Sequence, residues 1–233
     1  MRKAFLIGVS FMFVILFAGM TASAALVSMD FYSTGGNSSG GVYVYPYNFN
    51  INGSAQTYPL MCDDFTHMIS VGDTWNANTL NMGNLNATNV EYLNFPSAGV
   101  EGYLEAGYLF EEEVDAYADS NDDPDGLYNW AVWDLLTNSD VSASNLSSSQ
   151  ETQVQIYLND AESMGSSFTP SEFSNVVIYT PTEMDSGGPQ EFFGYDTPVP
   201  EPSTFALLGI GAVGLLRRRR SAAHLAPIAL TIH

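Results

Sequence analysis

Basic side chains are missing from the body of this chain. Its six Lys and Arg occupy positions 2, 3 and 217 to 220, at the two ends, whereas all of the 26 acidic residues except Glu201 lie between Asp30 and Asp196. Between those ends His67 is the sole basic side chain, and the whole chain carries a formal net charge of -20. A surface of this kind repels phosphate backbones and anionic lipid headgroups, which argues against nucleic-acid and peripheral-membrane binding. It also leaves the carboxylates without cationic partners. A bound cation, calcium in an extracellular setting, would stabilise the compact state by neutralising them.

Cysteine is almost absent too. Cys62 stands alone, so no disulfide can form within the chain. With one His and no Lys or Arg in the body, the usual catalytic sets are missing, as are a glycine-rich phosphate loop and any Cys/His metal spacing. His67 is too close to Cys62 along the chain to be assigned as its base. The expectation is a protein that is not an enzyme. Carboxylate pairs such as Asp63-Asp64 or those within Glu111-Glu112-Glu113 are the residue types of a secreted hydrolase, but in so acidic a chain such pairs arise by chance. Disorder, the other common companion of high charge, demands low hydrophobicity. The 13 Tyr, 14 Phe and 3 Trp exclude that, and the body reads as folded.

Both ends carry transport signals. Arg2-Lys3, an apolar run from Ala4 to Met20 and the small-x-small triplet Ala22-Ser23-Ala24 make residues 1–24 a secretory signal peptide, removed by signal peptidase after Ala24. Near the other end come Val199-Pro200-Glu201-Pro202, an uncharged stretch from Ser203 to Leu216, and then Arg217, Arg218, Arg219 and Arg220. As a helix, residues 203–216 span roughly 21 Å, short of the roughly 30 Å hydrocarbon core, and make a weak transmembrane hold. The arginines stay cytoplasmic and leave the body outside. A tail of unassigned role, residues 221–233, follows.

The order Val-Pro-Glu-Pro, apolar helix, terminal arginines resembles the PEP-CTERM sorting signal of Gram-negative bacteria. The resemblance implies that an exosortase in the inner membrane cuts at Pro200-Glu201-Pro202 and releases the body to the cell surface or extracellular matrix. It further implies an association with exopolysaccharide and biofilm. An ordinary tail anchor is the alternative.

Residues 25–198 suit one acidic, secreted domain. Strands are expected at Leu26–Tyr32, Val42–Ile51, Tyr58–Phe65, His67–Val71, Val176–Thr180 and Phe192–Tyr195. In the second, Tyr43, Tyr45, Tyr47, Phe49 and Ile51 form one aromatic face, and Pro46 pushes the strand to an edge or a bulge. Exposed on an open face, those tyrosines would stack on sugar rings; core packing is their other use. Helical spacing marks Val100 to Tyr108, Leu127–Thr137 and about Ser149–Met164, the last with a capping box at Ser148 and Glu151. Strands, three helices, then strands imply an α+β fold: an antiparallel β-sandwich or barrel with a three-helix insertion at about residues 99–164. An N-terminal signal helix and a C-terminal transmembrane helix complete the expected architecture.

Within the body, Met61-Cys62-Asp63-Asp64-Phe65, Val71-Gly72-Asp73-Thr74-Trp75, Tyr103 to Leu109 and Asn129-Trp130-Ala131-Val132-Trp133 resemble secreted proteins with the same sorting signal. Their pattern is similar to thioester domains of bacterial surface adhesins. The resemblance implies a bond between Cys62 and Asn129, although Asn is one methylene shorter than the Gln of that motif. A buried structural Cys62 is the other reading. A second candidate is the acidic turn Asp119 to Gly126. There Asp119, Asn121, Asp123 and Asp125 offer oxygens at calcium-loop spacing, but Val132 stands where the bidentate Glu belongs. A solvated turn between helices explains the same residues.

Overall fold

The computed structural model describes residues 25–119, 126–137, 145–183 and 188–196. The chain divides into two units, Met1–Tyr195 and Asp196–His233, and the statements below concern the first. The expected signal helix and the expected C-terminal transmembrane helix lie outside the described residues. Among the described residues no helix is long and apolar enough to cross a membrane.

Six antiparallel strands close into a barrel. In chain order the strands are β1 (Ala25–Thr34), a two-residue pair β2 (Ser38–Ser39) and β3 (Val42–Tyr43), β4 (Tyr47–Ile51), β5 (Thr57–Cys62), β6 (Thr74–Asn81), β7 (Val176–Pro181) and β8 (Phe192–Tyr195). Around the barrel the order is β1, β4, β5, β8, β7, β6. The barrel member of the expected alternatives is therefore the one adopted.

Closure follows from period-two patterning. Val27, Met29 and Phe31 on β1 point inward beside Ile51 and Phe49 on β4 and Ala77 on β6, and all are buried. Phe31 stacks on Phe49 at 5.2 Å between ring centroids, and Phe49 meets Phe192 edge-on at 4.8 Å, so aromatics fill a barrel this narrow.

Between β6 and β7 run α1 (Gly99–Asp119), α2 (Leu127–Thr137) and α3 (Ser148–Gly165). α1 covers the outer face of β7 and β8, where Tyr103 and Phe110 pack on Phe193. α2 is apolar nearly all round and buries Trp130, Val132, Trp133 and Leu136. Gly126 precedes it with a φ of 63°, and a Cβ there would stand 2.4 Å from a Val44 methyl, so a side chain is excluded on both counts. The capping box of α3 is made by Ser147 and Gln150, one residue earlier than expected, because Ser147 rather than Ser148 has the extended backbone of an N-cap.

Three strand expectations are corrected. The run Val42–Ile51 is split: Pro46 has no N–H for the ladder, and the barrel strand begins at Tyr47. Tyr45 and Tyr47 are buried and Tyr43 alone of the three is exposed, so the tyrosines share no open face. Residues His67–Val71 form a loop. Asp64 Oδ1 accepts from the backbone N–H groups of Thr66 (2.8 Å) and His67 (3.2 Å), and Asp73 Oδ2 from that of Ser70 (2.7 Å), which withdraws those donors from a ladder. The strand lies instead at Thr74–Asn81, a polar run that aliphatic patterning does not reveal.

Candidate functional site

The end of β5 brings together the residues with the most unusual environments. Cys62, Asp63 and Asp64 are consecutive and all fully buried, each in a different direction. Cys62 pairs with Phe192 and follows it into the barrel; the next residue, Asp63, faces the helical layer; Asp64 leaves the strand and organises the loop.

Cys62 Sγ donates to the Asp64 carbonyl at 3.2 Å. Burial, and after it the neighbouring Asp64, pushes the thiol well above its ordinary range and keeps it protonated. Asn129, in the first turn of α2, does come to Cys62. Its Nδ2 donates to the Cys62 carbonyl oxygen at 2.7 Å, while its Oδ1 accepts from the Tyr45 N–H at 3.0 Å. Both ends of the carboxamide are thus engaged with backbone, and the side chain clamps the segment before β4 to the end of β5.

Asp63 stands opposite Glu191 across β5 and β8, where its backbone N–H donates to the Glu191 carbonyl at 3.3 Å. Continuing the β7–β8 register past Tyr179 and Phe192 sets Thr180 beside Glu191 in the same row. Glu191 is provided with donors: the Tyr103 hydroxyl at 2.7 Å on Oε1 and the Asn94 N–H at 3.1 Å on Oε2. Neither Asp63 oxygen accepts a hydrogen bond from any described donor. A fully buried carboxyl with no donor and an acidic neighbour keeps its proton, and burial followed by Glu191 raises Asp63 well above the carboxylate range. Burial raises the titration of Glu191 as well, so both members of the pair favour the protonated form more than an exposed carboxyl does.

Asp64 performs the third task. Besides accepting from the loop, its Oδ2 lies 2.6 Å from His67 Nδ1 and receives the Asn94 amide. Gln190 completes the loop anchor: its Nε2 donates to the carbonyls of Asp64 (2.6 Å) and His67 (2.7 Å).

Above these anchors a cleft of about 420 Å³ opens at the barrel end where β1 and β5 finish. The β2–β3 hairpin forms one wall and the loop carrying Phe65, Met68 and Val71 the other, with Phe31, Tyr47 and Trp133 at the floor.

Of the residues expected from sequence, Cys62 and Asn129 are brought together. Asn121, Asp123 and Asp125 lie outside the described residues, as do Val199 to Pro202 and Arg217 to Arg220, while Asp119 ends α1. Among the described residues no group of three or more His, Cys, Asp or Glu is arranged to hold a metal ion. Glu191, Gln190, Asn94 and Tyr103 were not legible as partners, since each meets the β5 end only through the barrel closure and the helical layer.

The first unit is thus an acidic, closed α+β barrel domain, and the comparisons say what accompanies it. A family model described as the PEP-CTERM protein-sorting motif matches residues 198–220. The chain carries that motif and is an exosortase substrate, exported and sorted through its C-terminal segment. No curated protein and no solved structure matches the chain.

Proposed function

We propose that the chain is a non-enzymatic cell-surface or extracellular-matrix protein that works in association with exopolysaccharide after exosortase has cut at Pro200-Glu201-Pro202. The observation that carries this reading is the sorting motif at residues 198–220, downstream of a secreted domain with no basic residue other than His67. The sealed Asp63 and Glu191 and the buried, protonated Cys62 support a structural rather than a catalytic use of the most perturbed groups. The path runs through the inner membrane, with residues 203–216 as a temporary hold and signal peptidase and exosortase as transient partners.

Replacing Pro200, Glu201 and Pro202 together by Ala tests it. The expected result is a heavier, membrane-retained form, with the wild-type body found on the surface or in the matrix, and a deletion strain with altered matrix retention. A deletion that instead removes a hydrolytic activity from the culture fluid overturns the reading.

One observation favours a second reading, a covalent adhesin through the Cys62 thiol: the Asn129 carboxamide reaches the Cys62 residue, donating to its backbone carbonyl at 2.7 Å. Attack of that sulfur on the Asn129 carboxamide carbon would form the thioester and break the C–N bond, with ammonia leaving on the thiol proton. A body lighter by one ammonia, restored to full mass in Cys62→Ala after allowing for the substitution, supports it. Full thiol titration at unaltered mass sinks it.

A further inference from the structure

The cleft at the barrel mouth has properties that none of the roles above uses. Its volume, about 420 Å³, is that of a small-molecule site, and barrel mouths are among the places where such sites form. Its walls are held in place before any ligand arrives. On one side the Tyr47 hydroxyl donates to the Tyr43 carbonyl at 2.6 Å. At the hairpin turn Gly40 (φ 59°) lies so close to the Trp130 ring that a Cβ would stand 2.7 Å from it. On the other side Asp64 and Gln190 fix the loop through six backbone and side-chain bonds, and Phe65 packs on Trp133 at 4.9 Å between centroids. A preformed cleft spares a ligand the cost of ordering it.

The lining decides what the ligand is. No side chain facing the cleft is charged, on a chain whose net charge is -20. An anion is repelled by the surrounding field, and a cation finds no counter-charge in the cleft. An uncharged lining with polar groups suits a neutral ligand. Aromatic rings rise from both walls, with Tyr43 55% and Phe65 37% exposed, while Thr34, Ser70 and Gln190 place polar groups among them. Gln190 is buried, and with its Nε2 spent on two carbonyls its remaining hydrogen-bonding atom is the acceptor Oε1.

The cleft is partly open, so one side of an occupant stays near water. An uncharged sugar ring suits that arrangement: its axial C–H bonds meet the negative faces of aromatic rings, and its equatorial hydroxyls reach polar side chains and solvent. We infer that the cleft between Tyr43 and Phe65 binds a short stretch of neutral polysaccharide. The inference rests on the proposed exopolysaccharide association and names the site and the chemical class that would serve it.

The test uses the full chain purified from the envelope in mild detergent. The probes are dextran, laminarin, maltoheptaose and cellohexaose as neutral glycans, alginate as an acidic one, and an apolar naphthalene-sulfonate dye. Retention by at least one neutral glycan, insensitive to salt because no ion pair is involved, is expected. Tyr43→Ala should weaken it about tenfold, the size of one lost aromatic contact, with an unchanged melting temperature because the side chain is half exposed. Val71→Asp, which puts a charge on the opposite wall, should lower the affinity as well. Binding of no neutral glycan, binding of the dye alone, salt-sensitive binding of alginate alone, or glycan binding indifferent to both variants overturns the inference. If processing and surface retention persist while glycan binding is absent, this inference falls and the proposed sorting role stands. If the body never reaches the surface, the functional reading itself falls.

Discussion

Asp63 and Glu191 face one another across β5 and β8 with no solvent exposure on either, and burial raises the titration of both. The pair is tied to the helical layer, because the Tyr103 hydroxyl from α1 donates to the Glu191 carboxylate at 2.7 Å.

Stability should therefore fall as pH rises. A carboxyl whose folded pKa lies above its unfolded value contributes stability that is present below the unfolded pKa and lost as pH climbs through the folded one. The raised Asp63 acts in this direction, and so does Glu105, which burial and then Glu101 and Glu162 push up to about 7. Melting curves from mildly acid to alkaline pH should show a declining midpoint. Asp63→Asn, which cannot ionise, should make the decline shallower, and Glu105→Gln should flatten the part near neutrality. A profile unchanged by both variants refutes the assignment.

Removing the Asn129 clamp should be costly. Asn129→Ala leaves the Cys62 carbonyl and the Tyr45 N–H without their partner in a buried site, and the expected loss is about 2–4 kcal/mol in denaturant unfolding. A loss below about 0.5 kcal/mol, the level of an ordinary surface change, would show that the clamp contributes little.

Gly126→Ala should destabilise by about 2 kcal/mol through overpacking against Val44 and a disfavoured backbone. Adding Val44→Ala should recover the steric share but not the backbone share. Fully additive losses in a double-mutant cycle would contradict the contact.

Trypsin provides a test of processing. Residues 25–198 contain no Lys or Arg, so a body freed of both transport segments should survive digestion uncut even in urea, as judged by intact mass. Fragments ending at Arg217 to Arg220 would show that the anchor is still attached.

Much of the architecture was legible because it depends on local periodicity. The three helices and the strands β1, β5, β7 and β8 follow from spacing alone, and the basic residues at both ends mark the transport segments. Where the sequence misled, long-range or side-chain-to-backbone effects prevail. Asp64 and Asp73 draw N–H groups into a loop that apolar residues such as Met68 and Ile69 had marked as a strand, and β6 is held by its neighbours on both sides rather than by its own Thr and Asn. In the candidate site, Cys62 and Asn129 could be named, whereas the partner of Asp63 could not. Glu191 is opposite it only because β8 closes against β5, and no local pattern encodes that meeting.

The closed barrel has a consequence for life in a crowded surface layer. Each of its six strands has a neighbour on both sides, so none of them is an edge strand. Copies concentrated side by side therefore meet no full-length edge of the barrel to extend, which disfavours growth into fibres through that sheet.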